Sequence, residues 1–148
     1  MVTTVGTESD LVGMLNNLIQ LDYDAIDAYD TAIDRLDSGD YRAKLREFRE
    51  DHARHTRDLG DAVAELGGKP AKQGGAKSMM TRGKVMMADL LGDTAILQAM
   101  KSNEDDTNTA YERAEQAADG TPAATAVRAG LKDERHHRAW IEQTLSAR

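Results

Sequence analysis

Residues 18–32 read LIQLDYDAIDAYDTA and residues 100–114 read MKSNEDDTNTAYERA, and laying one on the other decides the fold. A shift of 82 superposes Asp22 on Glu104, Tyr29 on Tyr111, Asp30 on Glu112 and Ala32 on Ala114. The same shift carries Asp51 to Asp133, His52 to Glu134, His55 to His137, Leu59 to Ile141 and Val63 to Leu145, with no insertion. Similarity at one fixed offset reports a structural unit used twice.

That unit is a helical hairpin. Leu11, Leu15, Leu18, Ile26, Tyr29, Ile33 and Leu36 recur at steps of three and four or their sums, which draws one stripe on a first helix. Thr7 or Ser9 is expected to cap its start. Asp37, Ser38, Gly39 and Asp40 supply turn chemistry, with Gly39 as a left-handed stop and Asp40 as the next N-cap. Leu45, Phe48, Leu59, Ala62, Val63 and Leu66 stripe a second helix, closed by Gly67 and Gly68. A third carries Leu97, Met100, Tyr111 and Ala114 and ends at Asp119 and Gly120. The fourth carries Val127, Leu131, Ile141 and Leu145 and is expected to start with Thr121 as N-cap and Pro122 in its first turn.

Residues 67–81 mix Gly, Lys and Pro without periodicity, and Val85, Met86, Met87, Leu90 and Leu91 form a short amphipathic stretch. The expectation is one all-α domain over residues 1–148, an antiparallel four-helix bundle. Its hairpins span 8–66 and 94–146, and a long crossover at 67–93 contains a short helix.

Composition agrees. The 148 residues include two Pro and 4% aromatics, while the helix formers Ala, Leu, Glu, Arg and Lys abound. Nineteen Lys and Arg against 26 Asp and Glu give a net charge of −7, which opposes sequence-independent binding to nucleic acid. No segment approaches the ~20 apolar residues that span a bilayer, so no membrane partner is expected. The opening MVTTVGTESD has no basic flank followed by an apolar stretch. Cys is absent, which excludes thiolate catalysis and Cys-ligated clusters and leans toward a cytoplasmic location. Lys69, Lys72 and Lys77 lack the Gly-Lys-Ser/Thr ending of a phosphate loop.

Each stripe is interrupted by ionisable residues: Asp22 in the first helix, His52 and His55 in the second, Glu104 in the third, Glu134 and His137 in the fourth. Thirty residues separate Asp22 from His52 and Glu104 from Glu134, and both midpoints, residues 37 and 119, fall in a turn. Each pair therefore sits at equal height, roughly 22 Å up antiparallel helices at about 1.5 Å per residue. If the hairpins pack by the symmetry of the repeat, all six groups meet in the core. Carboxylates and imidazoles buried together must pair or bind metal. Oxygen with imidazole nitrogen suits iron, manganese or zinc, and His or Glu with His at i and i+3 projects two ligands from one helix face.

His136 points about 100° from His137 and is expected at the surface. Tyr29 and Tyr111 fit either hydrogen bonds to carboxylates across the bundle or plain packing. Met79, Met80, Met86 and Met87 read as packing under the crossover. In the run Glu104, Asp105, Asp106 only Glu104 points inward.

The order of carboxylate with Tyr seven residues on, x-x-His, crossover, carboxylate with Tyr seven on, then Glu-x-x-His resembles the ferritin-like di-metal carboxylate bundles. LNNLIQL and LGGKP resemble more narrowly an uncharacterised bacterial branch of that superfamily. The resemblance implies two divalent metal ions, iron first, held by Asp22, His52, His55, Glu104, Glu134 and His137. It also implies ferroxidase activity or reduction of dioxygen or peroxide. Two departures stand out: Asp22 and His52 occupy positions where the superfamily has Glu. Two divalent ions would bring four positive charges against three carboxylates, a surplus that needs a hydroxide, a surrounding carboxylate or an exogenous anion. The alternative is a metal-free or zinc-bound structural bundle, as monomer or homodimer, since three carboxylates balance three protonated imidazoles.

Overall fold

The computed structural model describes Thr3, Val5 and residues 10–74 and 90–148. Among these are four α-helices and no strand: α1 (Leu11–Arg35), α2 (Gly39–Glu65), α3 (Asp93–Ala118) and α4 (Ala124–Ser146). The all-α four-helix bundle read from the stripes is what forms. Helix α1 packs on α2 and α3, and α4 on α2 and α3, so α1 and α4 face each other across a diagonal, as do α2 and α3.

The helix ends differ from the sequence reading in three places. Asp10 caps α1, its carboxylate accepting from the Gly13 N–H at 2.9 Å; Thr7 and Ser9 lie outside the described residues. Helix α2 starts at Gly39, not after Asp40, because the Ser38 hydroxyl accepts from the Tyr41 N–H at 3.2 Å and makes Ser38 the cap. Gly39 is therefore an ordinary helical residue, and the left-handed glycines are Gly67, Gly92 and Gly120. Helix α4 starts two residues beyond Pro122. Thr121 instead closes the turn, its N–H and hydroxyl both donating to the Ala118 carbonyl at 3.0 and 2.6 Å.

Gly67 and Gly68 end α2 as expected. Gly68 N–H donates to the Val63 carbonyl at 2.9 Å and Gly67 N–H to that of Ala64 at 3.0 Å, a pattern that requires the positive φ at Gly67.

Both described ends of the crossover are tied down. At one, the Asn16 amide donates to the Lys69 carbonyl at 3.0 Å and accepts from the Ala71 N–H at 2.8 Å. At the other, the Asp93 carboxylate accepts from the backbone of Asp37 and Ser38 at 2.7 and 3.0 Å. Asn16 lies in the first turns of α1 and Asp37 just past its last, so the chain re-enters α3 at the opposite end of the bundle. Neighbouring helices consequently all run antiparallel. The amphipathic stretch from Val85 and the four Met residues 79, 80, 86 and 87 fall outside the described residues; of that stretch's end, Leu91 is 87% exposed.

Two apolar clusters fill the interior, one at each end. Met14, Leu15, Leu18, Val63, Ala118 and Val127 belong to the first; Leu36, Leu45, Phe48, Leu97, Met100 and Ile141 to the second. Ile26, expected on the inward stripe, is half-buried, and Ala25 takes the core position three residues after Asp22.

Glycine decides the packing at Gly130. A Cβ there would collide with the Tyr111 ring, lying 3.0 Å from Cζ and closer still to Cε1. Alanine gains up to about 1 kcal/mol in helix propensity, but overpacking a rigid buried ring costs about 1–3 kcal/mol. Gly130→Ala is expected to lower the melting temperature; a rise would show that Tyr111 yields freely.

Candidate metal centre

Between the two apolar clusters lies one polar layer. Asp22, His52, Glu104, Glu134 and His137 are at most 1% exposed and His55 is 3% exposed. The equal-height arithmetic holds: His52 Nδ1 stands 2.8 Å from Asp22 Oδ1, and the Thr107 hydroxyl lies 3.2 Å from Glu104 Oε2 and 2.9 Å from Glu134 Oε2. The hairpins meet across the same plane. His52 Nδ1 is 3.3 Å from Glu134 Oε1, and His137 Nδ1 is 3.5 Å from Glu104 Oε1.

Two overlapping sets of ligand-type atoms result, Asp22, His52, His55 and Glu134 in one and His52, Glu104, Glu134 and His137 in the other. Within each set the atoms lie no more than 4.8 Å apart, close enough to hold a metal ion. His52 and Glu134 fall in both sets, because they stand on the adjacent helices α2 and α4 and reach across the centre from there.

The repeat is visible as reciprocal hydrogen bonds. The Tyr29 hydroxyl donates to Glu104 Oε1, and the Tyr111 hydroxyl donates to Asp22 Oδ2 at 2.6 Å. Both tyrosines therefore bond to carboxylates of the opposite hairpin. His55 Nε2 donates to Asp133 Oδ2 at 2.9 Å, and His137 Nε2 to Asp51 Oδ2 at 2.8 Å. Each of these imidazoles is thereby held with Nδ1 toward the centre. Arg54 joins the two outer carboxylates, bonding to Asp51 at 3.1 Å and to Asp133.

Asp51 and Asp133 were present in the repeat but carried no role in the sequence reading. Their position four residues before His55 and His137 was the available signal. Thr107 and Asn108 were missed altogether. The Asn108 amide donates to the backbone carbonyls of Glu104 and Glu134 at 2.7 and 3.0 Å, tying α3 to α4 at this level. Buried polar residues three and four places after an inward Glu were the trace they left. Asp105 and Asp106 are only partly buried and His136 is exposed, as the stripe implied.

Charge within the layer is strongly coupled. Burial alone would drive protons off the imidazoles, but surrounding carboxylates outweigh it. The His55 pKa is pushed up to about 12 by Asp133, Asp22 and Glu134, that of His137 to about 11 by Asp51, Glu104 and Glu134, and that of His52 to about 9 by Glu134, Asp22 and Glu104. Burial would raise Asp22 and Glu104, yet their imidazole partners hold both below the ordinary carboxylate range. Tyr29 and Tyr111 are raised well above 10 by burial and the neighbouring carboxylates, so both keep their protons as donors.

Not every polar atom is satisfied. His52 Nε2, His137 Nδ1 and Glu134 Oε1 are buried without a hydrogen-bond partner, and the three residues that carry them belong to the two ligand sets. A cation that displaced the ring protons and accepted lone pairs from these atoms would remove that cost.

Removing one outer carboxylate should act on one imidazole. In the metal-free protein, Asp51→Asn is expected to lower the His137 pKa and leave His55 nearly unmoved, and Asp133→Asn to do the reverse, as read from imidazole proton resonances across pH. Equal shifts at both histidines, or none, would contradict the pairing.

No curated protein matches the chain. A family model described as a domain of unknown function, DUF2383, matches residues 10–117, taking in α1, α2, the crossover and all but the last residue of α3. That match spans well over half of the chain, which belongs to the DUF2383 family.

Proposed function

We propose that this is a non-haem di-metal protein of the ferritin-like kind, with iron as its first metal and dioxygen or peroxide as the oxidant it reduces, working in the cytoplasm. The observation that carries the reading is the pair of ligand sets overlapping at His52 and Glu134, with three buried ligand-type atoms left unpartnered inside them. The donor set fits iron: carboxylate oxygen and imidazole nitrogen, with no sulfur.

Asp22, His52 and His55 would hold one ion and Glu104 and His137 the other, with Glu134 shared. Ferrous ions so bound would supply electrons to the oxidant. The remaining work falls to this chain's own side chains. Tyr29 and Tyr111 fix the carboxylates they donate to. Asp51 and Asp133 aim the imidazoles, and the apolar clusters above and below exclude bulk water.

A metal-free layer that fixes helix register is the rival reading. It is favoured by His55 and His137, each facing carboxylates on both ring edges and held protonated far above neutral pH. The two readings separate in a single experiment. Anaerobic addition of Fe(II) is expected to bind at about two equivalents and raise the melting temperature, by RT ln(1 + [L]/Kd) in free energy, with chelator reversing the rise. Exposure to air should then produce a near-ultraviolet absorption. A melting temperature indifferent to Fe(II) and chelator would contradict the metal reading, and zinc recovered in place of iron by elemental analysis would contradict the redox part of it.

A further inference from the structure

Three imidazoles enter the layer, but they do not stand alike. His55 and His137 each commit Nε2 to an outer carboxylate, Asp133 and Asp51, and turn only Nδ1 inward. His52 has no outer carboxylate. Its Nδ1 faces Asp22 Oδ1 at 2.8 Å and Glu134 Oε1 at 3.3 Å, while Nε2, on the far edge of the ring, faces Glu104 Oε1 at 3.5 Å. The residue is fully buried, Nε2 makes no hydrogen bond, and His52 belongs to both ligand sets.

We propose that His52 bridges the two metal positions as an imidazolate, Nδ1 bound to the ion held with Asp22 and His55, and Nε2 to the ion held with Glu104 and His137. This rests on the metal-binding reading above and goes beyond it, since a second bridge of this kind changes both the charge and the spacing of the site.

The charge of the six inner groups is compatible with it. Asp22, Glu104 and Glu134 bring three negative charges to a layer from which water is excluded, and two divalent ions bring four positive ones. An uncompensated charge in such a place is expensive. When the neutral ring binds through both nitrogens, its remaining ring proton is lost to solvent, two metal–nitrogen bonds form and no electrons move. The imidazolate then contributes a fourth negative charge among the six inner groups, a sum that leaves aside the outer Asp51, Asp133 and Arg54. A histidine thus supplies at position 52 what a carboxylate would have supplied there, one negative charge and one bridging group.

Spacing is the consequence that can be read. A ring that binds one ion through each nitrogen holds them farther apart than the ~3.5–4 Å typical of two-metal sites. Glu134 is compatible with a wide pair, because Oε1 faces the His55 side at 3.5 Å and Oε2 the His137 side at 3.7 Å.

The test uses the full chain loaded anaerobically with Fe(II). Anomalous scattering from crystals should locate two irons per chain, separated by more than ~4 Å with the His52 ring between them. His52→Glu should keep two irons and draw them together. His52→Gln, which offers neither the charge nor a second nitrogen, should weaken the second iron by about tenfold or more in competition with a coloured chelator. Circular dichroism establishes that each variant remains helical. Two irons at ~3.5–4 Å in the native chain, or unchanged binding of both irons by His52→Gln, would overturn the bridge while leaving the di-metal reading intact. No iron in the native chain would overturn both.

Discussion

Six ionisable side chains share one water-excluded layer, and the rest of the molecule is arranged around the cost of keeping them there. Isolated burial of any one would force it neutral. Together, Asp22 and Glu104 are held below their ordinary range and all three imidazoles above theirs. Such a network is costly unless every lone pair finds a partner. Here His52 Nε2, His137 Nδ1 and Glu134 Oε1 make no hydrogen bond, and the residues that carry them are members of the two ligand sets.

The repeated hairpin explains how a chain of this size builds the layer. Each hairpin supplies the other's supports: tyrosine to the opposite carboxylate, outer aspartate to the opposite imidazole. Neither hairpin contains a finished half-site. The two copies differ where the layer is asymmetric. His52 stands opposite Glu134, Ala25 corresponds to Thr107 and Ile26 to Asn108, so the α3–α4 side carries extra hydrogen bonds to both Glu104 and Glu134. Phe48 corresponds to Gly130, so the same shift that packs an aromatic edge against Tyr29 clears space for the ring of Tyr111.

Much of this was legible before any coordinates. The stripes gave four helices because burial of a helix face is periodic in sequence, and the ionisable interruptions sat at equal distance from their turns because antiparallel helices share a rise per residue. Helix ends were less legible. Ser38 and Asp10 act as caps through hydrogen bonds to N–H groups three residues on, and several neighbouring residues could have made the same bond. Thr121 was diverted by the Ala118 carbonyl, a local competition that composition does not rank. In the site, the ligand-type residues themselves carried the signal, since a charge on an apolar stripe is conspicuous. Asp51 and Asp133 did not stand out, because half-buried aspartates on helix flanks look like solvated ones. The sharing of His52 and Glu134 between the two sets is a property of three-dimensional reach and has no sequence signature.

The central claim is that this layer holds protons only in place of metal. Calorimetric titration of the metal-free protein with Fe(II) at pH 7, repeated anaerobically in buffers of different ionisation enthalpy, counts the protons displaced. His52, His55 and His137 are all protonated there in the metal-free state, so the account requires about three or more protons released for each pair of ions bound. Binding without proton release would contradict it.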